Sequence, residues 1–204
     1  MIQIDSISAG LTMIAIMFSL FLFTFEQQVT IIFPLILLVT GITLTLLFGR
    51  KVDYDESLEY SEMRKITITT ALCLATFALA TLVSSDIFFP FIKREMSIGD
   101  LRNLSVVSLR LYTFLMAIAE EWFFRGGILS FTARINRFIA PIINGLVFTL
   151  YHFSIYGTQY NHLFYVLLAG SILAYATLKT ERLSPAMIAH AVNNLMASLY
   201  FGGK

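Results

Sequence analysis

Seven long apolar stretches occupy most of this 204-residue chain. A membrane-spanning helix needs about 20 mostly apolar residues, because the hydrocarbon core of a bilayer offers no partner to an unpaired backbone group. Since only short polar segments separate the stretches, the sequence predicts an all-α, polytopic transmembrane helix bundle. The predicted spans are residues 9–25, 29–49, 66–89, 104–135, 138–154, 163–178 and 185–201.

The composition agrees with a membrane protein. Hydrophobic residues make up 57% of the chain and charged residues 13%, whereas soluble chains carry about 25% charged residues. The net charge of +1 excludes nucleic-acid binding through bulk positive charge. The charged segments at 50–65 and 93–102 are predicted to connect neighbouring helices. No internal repeat or linker divides the chain into domains. We therefore expect a single integral membrane domain, 1–204, with a motif-bearing core at about 104–201.

Three charged residues lie close together in the middle of the fourth predicted span: Glu120, Glu121 and Arg125. Each ionised group near the bilayer centre costs about 2.5–3.5 kcal/mol, so such groups persist where they pair, face a wet cavity or do chemistry. Glu121 and Arg125 are four residues apart and can form an ion pair on one helix face. Glu120 lies about 100° round the helix, so it needs a partner elsewhere.

The fifth and seventh spans carry the candidate partners of Glu120. Phe148 and His152 are four residues apart on one helix face, and so are His190 and Asn194. Each histidine or asparagine alone could equally be a hydrogen-bonding strut between helices. The proposal of a shared site depends on the three elements coming together.

The predicted depths of Glu120 and His152 in the membrane, counted along their helices from the same face, agree with each other. Glu120 precedes Arg134 by fourteen residues, about 21 Å of helix, and His152 follows Arg137 by fifteen, about 22 Å. The seventh span is predicted to start with Ser184 as its N-cap, followed by a proline. His190 then lies closer to that face, so the last helix must be tilted, sunken or begin later.

A carboxylate beside an imidazole in a wet pocket can activate water, since one group removes a proton and the other orients the water. A second histidine and an amide on a facing helix are donors suited to a developing oxyanion. Together they indicate amide hydrolysis by an activated water. Glu120, His152 and His190 could alternatively bind Zn²⁺ as a His₂Glu set, although the H-E-x-x-H helix of zincins is absent.

The ordered motifs EEWFFRG (120–126), FTLYH (148–152) and HAVNN (190–194) resemble the EExxxR, FxxxH and HxxxN signatures of the CPBP family. That family includes the CAAX prenyl endopeptidases, often called Ras-converting enzyme, and bacteriocin-processing or Abi proteins. Their prenyl endopeptidases have an eight-helix arrangement, whereas seven spans are predicted here. No sequence feature identifies an isoprenyl groove.

The resemblance implies an intramembrane endopeptidase that works without a cofactor, with zinc as the alternative. Glu120 would activate water with His152, while His190 and Asn194 would line the oxyanion site. Glu121 and Arg125 would support the first helix, and Phe148 would shape the pocket. The implied substrate is a peptide or a lipidated protein C-terminus, from which prenyl endopeptidases remove the last three residues.

Two other functions fit the same residues. One is a catalytically silent membrane scaffold or bacteriocin-immunity protein of the same fold. The other is a proton-coupled transporter, because intramembrane acids also mark proton relays. In each case we expect a multi-pass protein of a prokaryotic cell membrane, in contact with lipid. The sequence leaves the oligomeric state open.

Overall fold

A computed structural model describes residues 4–25, 28–48, 60–92, 106–156 and 160–201, and these residues form an all-helical bundle. The predicted all-α class is confirmed. Most of the connector at 50–65 and all of the loop at 93–102 lie outside the described residues. In chain order the elements are α1 Ser6–Phe25, α2 Gln28–Phe48, α3 Tyr60–Ile92, α4 Val106–Glu120, a π-helical segment Glu121–Ile128, α5 Leu129–Ile135, α6 Ala140–Tyr156, α7 Tyr160–Thr180 and α8 Ser184–Phe201.

Residues 106–135 form one continuous rod, called here the central rod, in which the π segment joins α4 to α5. The junction residues Glu120 and Leu129 keep right-handed helical backbone angles, so the direction does not break. The rod ends at Asn136, whose backbone is extended and whose side chain accepts hydrogen bonds from the N–H groups of Phe138 and Ile139. The described residues thus form seven rods in the order of the seven predicted spans.

Not every rod is both long enough and apolar enough to be identified as a membrane-spanning helix. Within the described ranges, one stretch, His162–Thr180 of α7, is both long and apolar enough to cross a bilayer, with a mean hydropathy of 1.5. Shorter apolar stretches occur at Ser6–Ser19, Ile32–Phe48 and Ala140–Phe153. The number of membrane spans therefore stays a prediction.

The bundle carries large apolar side chains on its surface and charged ones in its interior. Leu150, Leu47 and Met13 are each about two-thirds exposed or more, while Glu121 and Arg125 are fully buried. Soluble proteins rarely expose apolar surface so extensively, and they seldom bury charges in this way. The distribution is typical of a helix bundle whose surroundings are lipid.

Helix α2 packs unusually closely on the π segment. A Cβ added to Gly41 would lie 2.5 Å from the backbone nitrogen of Phe123 and 2.6 Å from the carbonyl carbon of Trp122. One turn further along α2, the Thr45 side chain occupies the space that a Cβ on Gly126 would need. Glycine at these two positions is what allows the backbones to approach, and it fixes the π segment against α2.

Asp5 joins the first turns of α1 and α8. Its Oδ1 accepts a hydrogen bond from the Ser8 N–H at 2.7 Å, and its Oδ2 accepts one from the Ser184 hydroxyl at 2.6 Å. The predicted N-cap role of Ser184 is wrong: the carbonyl of Leu183 accepts the first helical bond, from Met187, and the Ser184 hydroxyl points to α1 instead. Ser184 is fully buried, so α8 begins inside the bundle.

The same end of the bundle holds two further links. Arg182, just before α8, donates to Glu62 in the first turn of α3, at 3.4 Å. Arg137 donates to the carbonyl of Leu178 near the end of α7, at 2.9 Å. The starts of α1, α3 and α8 therefore lie together with the end of α7, as alternating antiparallel rods require.

Candidate active site

Glu121 and Arg125 form the ion pair that their spacing predicted. Arg125 Nη1 lies 3.0 Å from Glu121 Oε1, and both side chains are completely buried. Arg125 Nη2 also donates to the backbone carbonyl of Gly170 on α7, at 3.1 Å. A buried ion pair needs such additional hydrogen bonds, because desolvation costs several kcal/mol per ion. The pair therefore ties the centre of the central rod to α7.

His190 lies between the two carboxylates. Its Nδ1 is 2.6 Å from Glu121 Oε1, and its Nε2 is 3.5 Å from Glu120 Oε2. A carboxylate only accepts hydrogen bonds, so Nδ1 carries a proton in the shorter contact.

His152 has a defined orientation and tautomer. Its Nδ1 lies 2.9 Å from the carbonyl oxygen of Phe148, one turn earlier on α6. Because a carbonyl only accepts, Nδ1 carries the proton and Nε2 is the acceptor nitrogen of the neutral ring. The Phe148 ring packs against both the His152 ring and the His190 ring, which places the two histidines in the same cluster.

Phe148 forms the apolar wall between the charged groups. Its ring centroid lies 4.5 Å from the Arg125 guanidinium carbon, 4.3 Å from the His152 ring and 5.9 Å from the His190 ring. A cation at this distance over an aromatic face is attracted by the ring quadrupole. Phe148 thus packs against Arg125 and both histidines at once.

Asn194 is placed differently from the other three predicted catalytic residues. Its Nδ2 donates at 3.4 Å to the carbonyl of Thr113 on α4. Thr113 precedes Glu120 by seven residues, about 10 Å along the helix. The structure therefore brings Glu120, His152 and His190 together, and it sets the amide of Asn194 about two turns earlier on α4, beside Thr113.

Counting from the membrane face put His190 too shallow to reach the glutamates, yet its Nε2 lies 3.5 Å from Glu120 Oε2. The start of α8 lies beside the start of α1, where the buried Ser184 hydroxyl donates to Asp5. Whether α8 is tilted, sunken or begins later relative to the membrane face stays a prediction.

The π helix is a feature of the site that the sequence did not predict. π-helical turns are rare and frequently occur at functional sites. Here the carbonyl of Phe124 accepts the N–H of Leu129, five residues on, and also the side-chain amide of Asn144 on α6 at 2.7 Å. Asn144 is fully buried, and its only sequence signal was being a polar residue within an apolar span.

Two other partners were missed. Gly170 contributes a backbone carbonyl, which leaves no side-chain signal. Tyr151 packs edge to face on the His152 ring, with the ring centroids 5.0 Å apart. Its neighbour His152 carried the motif, and one more tyrosine among nine gave no reason to select it.

Among the described residues, no group of three or more His, Cys, Asp or Glu side chains is placed to bind a metal ion. The alternative zinc set of Glu120, His152 and His190 is not found as such a group.

Comparison with known proteins supports the family resemblance. Residues 102–196, which contain the central rod from its start, α6, α7 and most of α8, match the family model described as Rce1-like, type II CAAX prenyl endopeptidase Rce1-like. Neither the curated proteins nor the solved structures gave a significant match.

The match supports the CPBP family membership that the three motifs indicated. The matched family is a CAAX-protease-type, membrane-associated class whose members are usually proteases. All three motifs, 120–126, 148–152 and 190–194, lie within the matched residues.

Proposed function

We propose that this protein is an intramembrane endopeptidase that hydrolyses a peptide bond with a water activated by Glu120 and His152. The observation that carries the proposal is the cluster of Glu120, His152 and His190, contributed by three separate rods and almost fully buried. Groups of this kind are costly in an apolar interior unless they serve a function. The family match supports the reaction class.

In the proposed reaction, Glu120 takes a proton from water while the water oxygen attacks the scissile carbonyl carbon. The carbonyl oxygen becomes an oxyanion, which hydrogen-bond donors stabilise. The C–N bond then breaks as protonated Glu120 returns its proton to the leaving amine. The products are a new carboxylate and a new amine, and no covalent enzyme intermediate forms.

Each neighbour has a defined part in this scheme. His152, fixed by the Phe148 carbonyl, orients the water through the acceptor nitrogen of its ring. His190 is held by Glu121, and its Nε2 points towards Glu120, where it can donate to the oxyanion. The family resemblance assigns Asn194 to the same oxyanion site, which it would reach only after moving from the Thr113 carbonyl.

We propose further that the chain is a multi-pass protein of a prokaryotic cell membrane. The order of seven apolar rods and the exposed apolar side chains on α1, α2 and α6 support this placement. The substrate would then be a membrane-tethered peptide. By the family resemblance, a prenylated C-terminal CAAX sequence is the first candidate.

The test is cleavage of a peptide panel by the purified, detergent-solubilised protein, with farnesylated and geranylgeranylated CAAX peptides included. The wild type should release the C-terminal tripeptide of at least one prenylated reporter, and Glu120→Ala should not, while it elutes as a folded species. A wild type that cleaves nothing would favour the scaffold or immunity role. Proton flux into liposomes that is lost in Glu120→Gln would favour the transporter.

A further inference from the structure

Gly170, in the middle of α7, belongs to none of the three sequence motifs, yet it contacts the candidate site in two ways. Its backbone carbonyl accepts a hydrogen bond from Arg125 Nη2 at 3.1 Å. Its lack of a side chain also leaves room for Phe148, because a Cβ at this position would lie 3.0 Å from Phe148 Cδ1 and 3.3 Å from Phe148 Cβ. Helix α7 therefore meets both Arg125 and Phe148 at a single residue.

The approach of Gly170 to α6 is closer than a side chain would allow. The same added Cβ would lie 3.1 Å from the Cα of Gly145 on α6. Carbon atoms in a well-packed interior are about 3.5–4.0 Å apart, so a methyl group at 170 would press on the Phe148 ring and on the α6 backbone together. Gly170 lies within a regular helix, so the absence of a Cβ matters here for space and not for backbone freedom.

Phe148 passes any displacement on to the ionisable groups of the site. Its carbonyl oxygen accepts a hydrogen bond from His152 Nδ1 at 2.9 Å, and its ring centroid lies 4.3 Å from the His152 ring. The same ring lies 5.9 Å from the His190 ring and 4.5 Å from the Arg125 guanidinium carbon. The residue that limits where Phe148 can lie therefore also limits where the two histidines can lie.

We propose that Gly170 is a positioning residue, which sets the Phe148 ring between Arg125 and the two histidines and so fixes the orientation of His152. The inference rests on the proposed function, in which His152 orients the attacking water. A misplacement of about 1 Å in the groups around a reacting bond can cost about 100-fold in rate. A methyl group at 170 forces a shift of a few tenths of an ångström, so the expected loss in kcat is about 10-fold.

The kinetic test compares Gly170→Ala with Gly145→Ala, using a farnesylated CAAX peptide that the wild type cleaves. Gly145 is a matched control at the same crossing of α6 and α7. Its added Cβ would lie 2.9 Å from the carbonyl oxygen of Leu167 and against the Ser171 side chain, neither of which belongs to the site.

Both variants should lower the unfolding midpoint, because both overpack the crossing. For the same loss in midpoint, kcat should fall about 10-fold further in Gly170→Ala than in Gly145→Ala, with KM close to wild type. Losses of kcat that simply follow the losses of stability in the two variants would overturn the proposal.

Phe148→Leu provides a second kinetic test. Gly170→Ala should lower kcat by a smaller factor in the Phe148→Leu background than in wild type, because the leucine side chain is smaller and can turn away from the new methyl group. Equal factors in the two backgrounds would contradict a positioning role that acts through Phe148.

Unfolding midpoints need no substrate, so they separate this inference from the proposed function. The midpoint shift of Gly170→Ala should be smaller in the Phe148→Leu background, whereas the shift of Gly145→Ala should be the same in both backgrounds. Additive shifts for Gly170→Ala and Phe148→Leu would refute the contact, even in an active enzyme. Coupled shifts in a protein that cleaves no peptide would support the contact and count against the peptidase, and with it the positioning role.

Discussion

His190 donates its Nδ1 proton to Glu121, at 2.6 Å, rather than to Glu120. The same oxygen of Glu121 accepts Nη1 of Arg125 at 3.0 Å. Glu121, the second glutamate of the motif, therefore contacts both the guanidinium of Arg125 and the ring of His190. It fixes the His190 ring so that the opposite nitrogen faces Glu120.

Arg125→Met should destabilise the protein strongly. It leaves the fully buried Glu121 carboxylate without its guanidinium partner and removes the donor to the Gly170 carbonyl. Breaking a buried pair by removing one partner typically costs 3–5 kcal/mol, so the unfolding midpoint in detergent should fall steeply. Arg137→Met is the control, because its bridge to Glu181 is exposed and worth about 0–1 kcal/mol. Similar midpoints for the two variants would contradict this account.

Gly41→Ala should push α2 away from the π segment. The new Cβ would lie 2.5 Å from a backbone nitrogen, which cannot move as a side chain can. Overpacking of this kind costs about 1–3 kcal/mol in free energy of unfolding. Gly10→Ala meets nothing within 4 Å, so it should be neutral or slightly stabilising. The thermal unfolding midpoints of both variants test the packing, and a stable Gly41→Ala variant would show that the close approach is absent.

Glu62, in the first turn of α3, should give a small pH-dependent contribution to stability. The pKa of its carboxyl is lowered from 4.5, first because Lys65 donates a hydrogen bond to it at 2.6 Å, and then through the charges of Lys65 and Arg182; partial desolvation opposes the shift.

A carboxyl whose pKa is lower in the folded than in the unfolded protein stabilises the fold above the unfolded value. That contribution disappears as the pH falls through the folded pKa. Wild type should therefore exceed Glu62→Gln in unfolding midpoint at about pH 7, by the equivalent of at most about 1 kcal/mol. The difference should vanish once the pH falls below the lowered pKa of the folded protein. If the difference in unfolding midpoint between wild type and Glu62→Gln grew as the pH fell, the pKa of Glu62 would not be lowered by folding.

The sequence was sufficient where a contact is local to one helix. The Glu121–Arg125 pair follows from a four-residue spacing, and the rods carrying Glu120, His152 and His190 were each identified by their apolar length. The π segment was missed because its five-residue hydrogen bonding leaves no distinct pattern of side chains. The position of Asn194 could not be predicted either, since it depends on how deeply α8 is set by the contact of Ser184 with Asp5.

The most direct test of the account is the rate of cleavage by Glu120→Gln, measured on a farnesylated CAAX peptide beside Glu181→Gln. Both variants exchange a carboxylate for an amide of the same shape, but Glu181 lies in a partly exposed surface bridge. Loss of the general base should reduce kcat about 10²- to 10⁴-fold in Glu120→Gln and leave Glu181→Gln at the wild-type rate. Wild-type cleavage by Glu120→Gln would contradict the assignment of this cluster as a peptidase active site.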